Sequence, residues 1–229
     1  MATESRRARV ASVQTPAEEV ARVRISWESG QGMPFKAGQW IILQTSDNGK
    51  LMKRCFSIAS SPSDTDGLTF YIERTWAGGI SDWLHACQGG EEVEVRGPHG
   101  KFPGEGSGPL LLVAFDTGIS PAWSVIQEMA ERKSADPVHL LYGWSRPGEA
   151  PLALELAALA KTWPVLTVTM LSPDEAVRAI AKAAAGVGRA AVAGRVQWLD
   201  PAKAALLAAG VAAESIVEEA YDRPKGGGG

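Results

Sequence analysis

The chain contains little cysteine. Two cysteines, Cys55 and Cys87, occur in 229 residues. Because an iron–sulfur cluster of the common kind takes about four cysteine thiolates, any such centre would have to sit on another protein. Structural disulfides are rare in cytoplasmic proteins, so we expect both cysteines to be buried free thiols.

Long apolar runs and a positive net charge are also missing. No apolar run approaches the roughly 20 residues that span a bilayer. The first nine residues hold three arginines but lack the apolar segment of a secretory signal. The formal net charge is −3, which provides no general attraction to nucleic acid. We therefore expect a cytoplasmic protein with no membrane span and no nucleic-acid partner.

The first half of the chain has the alternating pattern of half-buried strands. Two further β-rich segments surround Trp40 and Arg54, and a short amphipathic helix is predicted at residues 80–87. The alternating segments are residues 8–13, 19–27, 68–74 and 92–96. Strands at this spacing predict a small antiparallel β-barrel, and Gly97–Gly100 is expected to form a rigid turn at its end.

The second half alternates buried strands with helices. Strands are predicted at residues 110–115, 138–143, 165–170 and 190–193. Helices are predicted at residues 122–132, 152–160, 176–185 and 201–209. This alternation indicates a doubly wound, Rossmann-like parallel α/β sheet. We expect one domain over residues 1–105, a second over 106–222 and a disordered glycine-rich tail over 223–229.

Arg54-Cys55-Phe56-Ser57 combines a cation, an aromatic ring and a hydroxyl within four positions. On a strand, Arg54 and Phe56 share one face while Cys55 and Ser57 share the other. A flavin needs such groups: a cation for the pyrophosphate, a flat apolar group for the ring and a hydroxyl near the redox-active nitrogen. Taken alone, such a quartet on a strand is usually part of an ordinary edge strand.

Two glycine-containing loops precede predicted helices. In Gly78-Gly79-Ile80-Ser81, Ser81 is a candidate N-cap, and the glycines would let a diphosphate approach the helix amides. A plain hairpin turn is the alternative for this loop. Thr117-Gly118-Ile119-Ser120-Pro121 follows a buried strand, at the sheet edge where such folds bind nucleotides.

The three motifs, in this order, resemble those of the ferredoxin–NADP reductase family. Arg54–Ser57 is similar to the Arg-x-Tyr-Ser flavin signature, with phenylalanine for tyrosine. Gly78–Ser81 resembles the second flavin loop, and Thr117–Pro121 resembles most of the nicotinamide-nucleotide loop. The resemblance implies an FAD-binding antiparallel β-barrel followed by a Rossmann-like domain. It also implies a flavoprotein oxidoreductase that transfers electrons from NAD(P)H through bound FAD to a partner electron carrier or a small oxidant.

The resemblance also implies residue roles. Arg54 would hold the FAD pyrophosphate, Phe56 would pack on the isoalloxazine or ribityl region, and Ser57 would hydrogen-bond near N5. Ser57 and the terminal aromatic residue Tyr221 are the catalytic candidates. No metal ligand is expected. The cofactor-binding candidates are Arg54, Cys55, Phe56, Ser57, Tyr71, Ile72, Glu73, Gly78, Gly79, Ile80, Ser81, Thr117, Gly118, Ile119, Ser120, Pro121 and Arg146.

Three positions leave alternatives open. Arg146 follows a predicted strand, where it would meet an adenosine ribose or a 2′-phosphate, or would be a surface arginine beside Pro147. Asp116 stands where relatives have a glycine, and Ala193-Gly194-Arg195 stands where they have Cys-Gly-Pro. The alternative function is therefore a flavin-carrying subunit that is fed by another protein and no longer uses NAD(P)H. A third is a cofactor-free interaction module.

Overall fold

The computed structural model describes residues 5–28, 32–47, 49–75 and 77–222. The predicted glycine-rich tail at residues 223–229 lies outside these ranges. The described residues form a six-stranded antiparallel sheet followed by a five-stranded parallel sheet with helices. The fold class predicted from the sequence is confirmed.

The antiparallel sheet has the strand order β4-β3-β6-β1-β2-β5. The short helix α1, Ile80–Ala86, follows β5. The six strands are β1 Ser5–Ala17, β2 Val20–Trp27, β3 Trp40–Asp47, β4 Lys50–Ser57, β5 Gly67–Glu73 and β6 Glu92–His99.

The antiparallel sheet closes on itself. Strands β4 and β5 are its two edges, yet Phe56 on β4 and Phe70 on β5 lie with ring centroids 6.2 Å apart. Both rings belong to one apolar cluster that also contains Ile25, Leu43 and Val95. Burial of this cluster from all sides gives the sheet its barrel form.

Strand β6 runs through the predicted rigid turn, so that prediction was wrong. It continues to His99, which is paired with Trp40 and lies with its ring 4.6 Å from the indole. Gly97 packs directly on β3, because a Cβ there would lie 2.9 Å from Cγ2 of Ile41. A register shift between Trp40 and Ile42 lets the two strands remain paired.

The parallel sheet has the order β11-β10-β7-β8-β9. Strand β7 lies at its centre and is buried throughout, because apolar clusters cover both faces of the sheet. The strands are β7 Leu110–Phe115, β8 Val138–Gly143, β9 Leu166–Leu171, β10 Arg189–Gly194 and β11 Ile216–Ala220. The helices are α2 Ile119–Glu131, α3 Ala153–Thr162, α4 Pro173–Ala183 and α5 Val196–Ala208.

In the parallel-sheet half, the largest boundary differences from the prediction are at the starts of helices α2, α4 and α5, and one strand was not predicted. Helix α2 begins at Ile119, so Ile119, Ser120 and Pro121 lie in its first turn. A proline is tolerated there because backbone amides in the first turn make no hydrogen bond within the helix. Helix α4 begins three residues earlier than predicted, behind a capping box formed by Ser172 and Glu175. Helix α5 extends five residues before Pro201, and β11 was not predicted as a strand.

Helix α2 joins the two sheets through a polar stripe: Ser120, Ser124, Gln127 and Glu131. Their spacing of four, three and four residues places them on one helix face. Ser124 Oγ donates to the Ser60 carbonyl at 2.7 Å, and Gln127 Nε2 donates to the Ala59 carbonyl at 2.7 Å. Barrel groups donate to the other two: Ser61 Oγ to Glu131 Oε2 at 2.6 Å and the Tyr71 amide to Ser120 Oγ at 3.3 Å.

Apolar packing accompanies the polar stripe. The cluster beneath α2 contains Ala59, Tyr71 and Phe102 from the barrel side together with Leu112 and Ile119.

None of the described helices combines the length and apolar composition needed to cross a bilayer.

Candidate functional site

A cavity of about 810 Å³ lies between the barrel and the carboxyl edge of the parallel sheet. Its size falls within the roughly 300–1,000 Å³ that is typical of cofactor and ligand pockets. The lining residues are Trp40, Ile42, Lys53, Arg54, Cys55, Phe56, Ser57, Tyr71, Ile72, Glu73, Thr75, Thr117, Ser120, Arg195, Glu219, Ala220, Tyr221 and Asp222.

The β3–β4 hairpin forms one wall of this cavity. Trp40 pairs with Ser57 and Ile42 pairs with Cys55, and all four residues line the cavity. Because directly opposed residues share a face, this wall presents an apolar surface that carries one hydroxyl and one thiol. Phe56 also lines the cavity, but its ring belongs to the barrel cluster beside Phe70.

Arg54 is held in place by the neighbouring loop. Its Nη1 donates to Thr75 Oγ1 at 2.9 Å, and the Thr75 hydroxyl is in turn hydrogen-bonded to the Ser81 hydroxyl. Burial lowers the pKa of Arg54, and the carboxylate of Glu73 opposes that shift. A guanidinium fixed in this way is positioned to bind an anion inside the cavity.

The loop Gly78–Ser81 does not line the cavity. Helix α1 is capped by Gly79, not by Ser81, so the predicted N-cap was wrong. Ser81 lies inside the helix and orients Thr75. The Gly78 amide donates to Asp82 Oδ2 at 3.0 Å, and the Gly78 carbonyl accepts from Lys50 Nζ at 2.8 Å. The loop therefore reaches the cavity through Thr75 and Arg54, while Gly78, Gly79, Ile80 and Ser81 stay behind that wall.

The last residues of β5 line the cavity from the barrel side. Tyr71, Ile72 and Glu73 all contribute to this lining. Burial raises the pKa of the Tyr71 phenol to about 12. The Tyr71 amide also meets Ser120, so β5 and α2 are joined at the cavity edge.

The segment 117–121 is divided between the cavity and the core. Thr117 and Ser120 line the cavity, whereas Gly118, Ile119 and Pro121 are buried and do not. Gly118 lies against β10, because a Cβ there would be 2.2 Å from the Ala193 carbonyl oxygen. Strands β7 and β10 border the point where the strand order reverses, which is where open α/β sheets bind ligands.

Tyr221 follows β11 and lies beside Ser57 on the cavity wall. Its phenol donates to the Thr117 carbonyl at 3.2 Å, and its amide donates to the Gly194 carbonyl at 3.0 Å. Burial raises the pKa of the phenol, with a smaller opposing contribution from a hydrogen bond with Ser57. The structure thus brings both catalytic candidates to one cavity.

A charge cluster made of Glu73, Asp116, Arg146 and Arg195 lies where the barrel meets the carboxyl ends of β7, β8 and β10. Glu73 forms ion pairs with Arg146 and, at 2.6 Å, with Arg195. Arg146 Nη1 lies 3.5 Å from Asp116 Oδ1. Only 17% of the Arg146 side chain is exposed, so it is not a free surface arginine, and it does not line the cavity.

Several cavity residues were not identified from the sequence. Their positions depend on the register of the β3–β4 pair and on where strands end, and neither can be read from the sequence alone. They are Trp40, Ile42, Lys53, Thr75, Arg195, Glu219, Ala220 and Asp222.

Both cysteines are free thiols, as predicted, but only Cys87 is buried, whereas Cys55 is partly exposed on the cavity wall. Within the described ranges no cluster of three or more histidine, cysteine or acidic side chains is arranged to hold a metal ion.

A barrel joined to a Rossmann-like sheet, with a large cavity between them, is the ferredoxin-reductase-like class of fold. The comparisons with known proteins agree. Residues 7–103 match the family model described as the oxidoreductase FAD-binding domain. The structure of a ferredoxin NADP⁺ reductase from Neisseria gonorrhoeae with bound FAD and NADP superposes with a TM-score of 0.79, at 20% identity over 94% of this chain and 98% of that one.

Sequence relatives point to the same family. Ferredoxin–NADP reductase B of Sorangium cellulosum is 31% identical over 157 residues, which cover 67% of this chain and 64% of that protein. Terephthalate 1,2-dioxygenase reductase component 1 of Comamonas sp. is 28% identical over 159 residues, which cover 69% of this chain and 46% of that protein. The chain thus spans about half to two thirds of these relatives. Over these spans it resembles proteins of the ferredoxin–NADP reductase-like family.

Proposed function

We propose that the chain is an FAD-dependent oxidoreductase that takes electrons from NAD(P)H and passes them to a partner electron carrier or a small oxidant. The cavity carries this proposal, because Arg54, Ser57 and Tyr221 all line it and the barrel beside it matches the FAD-binding family model. Bound flavin supplies the redox chemistry, while the protein supplies binding, orientation and electrostatics. The relatives include reductase components of dioxygenase systems, which supports an electron-carrier or oxygenase partner.

The cavity residues suit a flavin dinucleotide. Arg54 would bind the pyrophosphate, since Thr75 and Ser81 hold its guanidinium in place. Ser57 would donate its hydroxyl hydrogen near N5, and Tyr221 would cover the ring and exclude water.

The other predicted cofactor contacts form part of the same proposal. Phe56, with Cys55 beside it, would support the isoalloxazine or ribityl region from the barrel side. Tyr71, Ile72 and Glu73 would contact the flavin nucleotide. The Gly78–Ser81 loop would support the phosphate region through Thr75.

The nicotinamide nucleotide would bind at the switch point of the parallel sheet. Thr117–Pro121 would receive it, and Arg146 would contact its adenosine ribose or 2′-phosphate. We propose domains of residues 1–105 and 106–222, with FAD between them. A cytoplasmic setting completes the proposal.

A visible spectrum followed by anaerobic addition of NADH and NADPH tests the function. We expect a flavin absorbance band that one of the two nucleotides bleaches. Arg54→Ala should lower FAD affinity about tenfold to a hundredfold, because a hydrogen bond to a charged group contributes about 1.5–3 kcal/mol. Arg96→Ala, which removes a half-exposed barrel arginine paired with Glu94, is the matched control. Full retention of flavin by Arg54→Ala would exclude Arg54 as the anchor.

Ser57→Ala tests the proposed contact near N5. We expect the variant to keep its flavin and to accept electrons from NAD(P)H more slowly, because the hydroxyl no longer meets charge that develops at the ring. Stopped-flow absorbance measures the rate. An unchanged rate would remove Ser57 from the mechanism.

A partner-fed flavin subunit is the second candidate function, and Asp116 favours it. This carboxylate is buried at the switch point and is hydrogen-bonded to Ser145. A flavin band that neither nucleotide bleaches, but that a reduced carrier protein does, would select this candidate.

A further inference from the structure

Asp116 occupies an unusual position in the fold. It directly follows the central strand β7, has a φ of 50° and is 6% exposed. A left-handed conformation is uncommon for residues other than glycine, and asparagine and aspartate tolerate it best. A buried carboxylate held in that conformation, at the point where the strand order reverses, is a candidate for a functional role.

The Asp116 carboxylate takes up the hydrogen-bond donors at the end of β8. Oδ1 accepts the Ser145 amide at 3.0 Å and the Ser145 hydroxyl at 2.8 Å. Arg146 Nη1 approaches the same oxygen to 3.5 Å. Backbone amides, a hydroxyl and a guanidinium are the groups with which proteins bind phosphate oxygens.

The other carboxylate of the charge cluster, that of Glu73, is also paired with guanidinium groups. Glu73 engages Arg146 and Arg195, so two carboxylates face two guanidiniums. Two buried donors beside them, Arg146 Nη1 and Tyr142 Oη, have no hydrogen-bond partner among the described residues. The cluster therefore has the donors of an anion site, while its own carboxylates supply the negative charge.

We propose that Asp116 is a specificity-determining residue: it is an internal anion that occupies the Ser145 donors and neutralises the Arg146 charge, and a pyridine dinucleotide has to displace it. The inference rests on the proposed function and deepens it. The native chain then binds NAD(P) weakly, because an incoming diphosphate meets a buried carboxylate of the same charge. Removal of that charge frees the donors and should tighten binding about tenfold or more, since like charges a few ångströms apart repel strongly at low dielectric.

Calorimetric titration of the flavin-loaded protein with NAD⁺ and with NADP⁺ tests the inference. The oxidised nucleotides avoid reaction with the oxidised flavin. Asp116→Asn keeps the side-chain size and removes the charge, whereas Asp116→Gly also suits the left-handed backbone. We expect both variants to bind at least one nucleotide about tenfold or more tightly than the native protein does.

Two further variants separate charge removal from other causes. Ser145→Ala removes a donor but keeps the carboxylate, so it should give no gain. Glu214→Gln removes an exposed carboxylate before β11, at the opposite end of the sheet, and should also give none. A gain in Ser145→Ala equal to that in Asp116→Asn would overturn the inference, because loosening of the loop would then be its cause. Unchanged affinity in both Asp116 variants would overturn it as well.

The flavin band, recorded for every variant, separates this inference from the proposed function. If all variants hold FAD and NADH bleaches the native protein, unchanged nucleotide affinity in the Asp116 variants refutes the role of Asp116 alone. If no variant holds FAD, the proposed function fails first. If the native chain binds NAD⁺ or NADP⁺ as tightly as Asp116→Gly does, Asp116 does not weaken dinucleotide binding and the inference is refuted.

Discussion

Glu73→Gln is a direct test of the charge cluster that joins the barrel to the parallel sheet. The Glu73 carboxylate is 16% exposed and pairs with Arg146, 17% exposed, and Arg195, 42% exposed. Loss of one partner from a fully buried ion pair costs about 3–5 kcal/mol. Arg195 is partly hydrated and Arg146 keeps Asp116 nearby, so we expect a smaller loss of about 2 kcal/mol in the free energy of unfolding.

That loss should lower the melting temperature by about 4–8 °C in a chain of this length. Urea unfolding followed by tryptophan fluorescence, with and without added FAD, measures it. Glu128→Gln is the matched control, because its ion pair with Arg132 spans 3.9 Å on the exposed face of α2 and should contribute less than about 0.5 kcal/mol. A double-mutant cycle with Arg195→Gln isolates the Glu73–Arg195 coupling. A Glu73→Gln loss no larger than that of Glu128→Gln would refute the reasoning.

Two other predictions follow from the cavity. In flavin-free protein at pH 8, iodoacetamide should label Cys55, which lines the cavity, and leave Cys87 unlabelled, because burial raises the pKa of the Cys87 thiol to about 12. Added FAD should protect Cys55 from labelling. Equal labelling of both thiols in the folded protein would contradict this prediction. Tyr71 ionises near pH 10 when unfolded but has a folded pKa of about 12, so its contribution to stability is complete below pH 10 and is lost as pH rises towards 12. Between pH 9 and pH 11, the free energy of unfolding of Tyr71→Phe should therefore fall by about 1 kcal/mol less than that of the native protein, as measured by urea unfolding. An identical fall in both proteins would contradict the raised pKa of Tyr71.

The sequence was sufficient wherever one segment carries its own pattern. Strand β8 has its predicted bounds, 138–143, and β7 was recognised from its continuous apolar run. Strand β11 lacks such a run: its five residues Ile-Val-Glu-Glu-Ala pack on one neighbouring strand, β10, and it was missed. Pro201 was taken as the start of α5, although the helix begins five residues earlier.

In the candidate site, too, only the residues that form a local sequence pattern were identified. The short motif Arg54–Ser57 was identified locally, since its residue types occur within four positions. The pairing of Trp40 with Ser57 depends on strand register, and the Glu73–Arg195 ion pair joins residues 122 positions apart in the chain, from 73 to 195. The first contact depends on strand pairing within the barrel and the second on how the two sheets pack together, and no local sequence pattern encodes either.

The polar stripe of α2 has a consequence for how ligands enter. The helix begins beside the Thr117 loop and extends about 17 Å along the barrel, from Ser120 to Glu131. Opening of the two sheets as a hinge would break four side-chain hydrogen bonds and expose the apolar cluster beneath them. We therefore expect ligands to exchange through the solvent-open side of the cavity while the sheets keep their relative orientation. The distance between a group bound on the parallel sheet and one bound on the barrel would then be set when the chain folds.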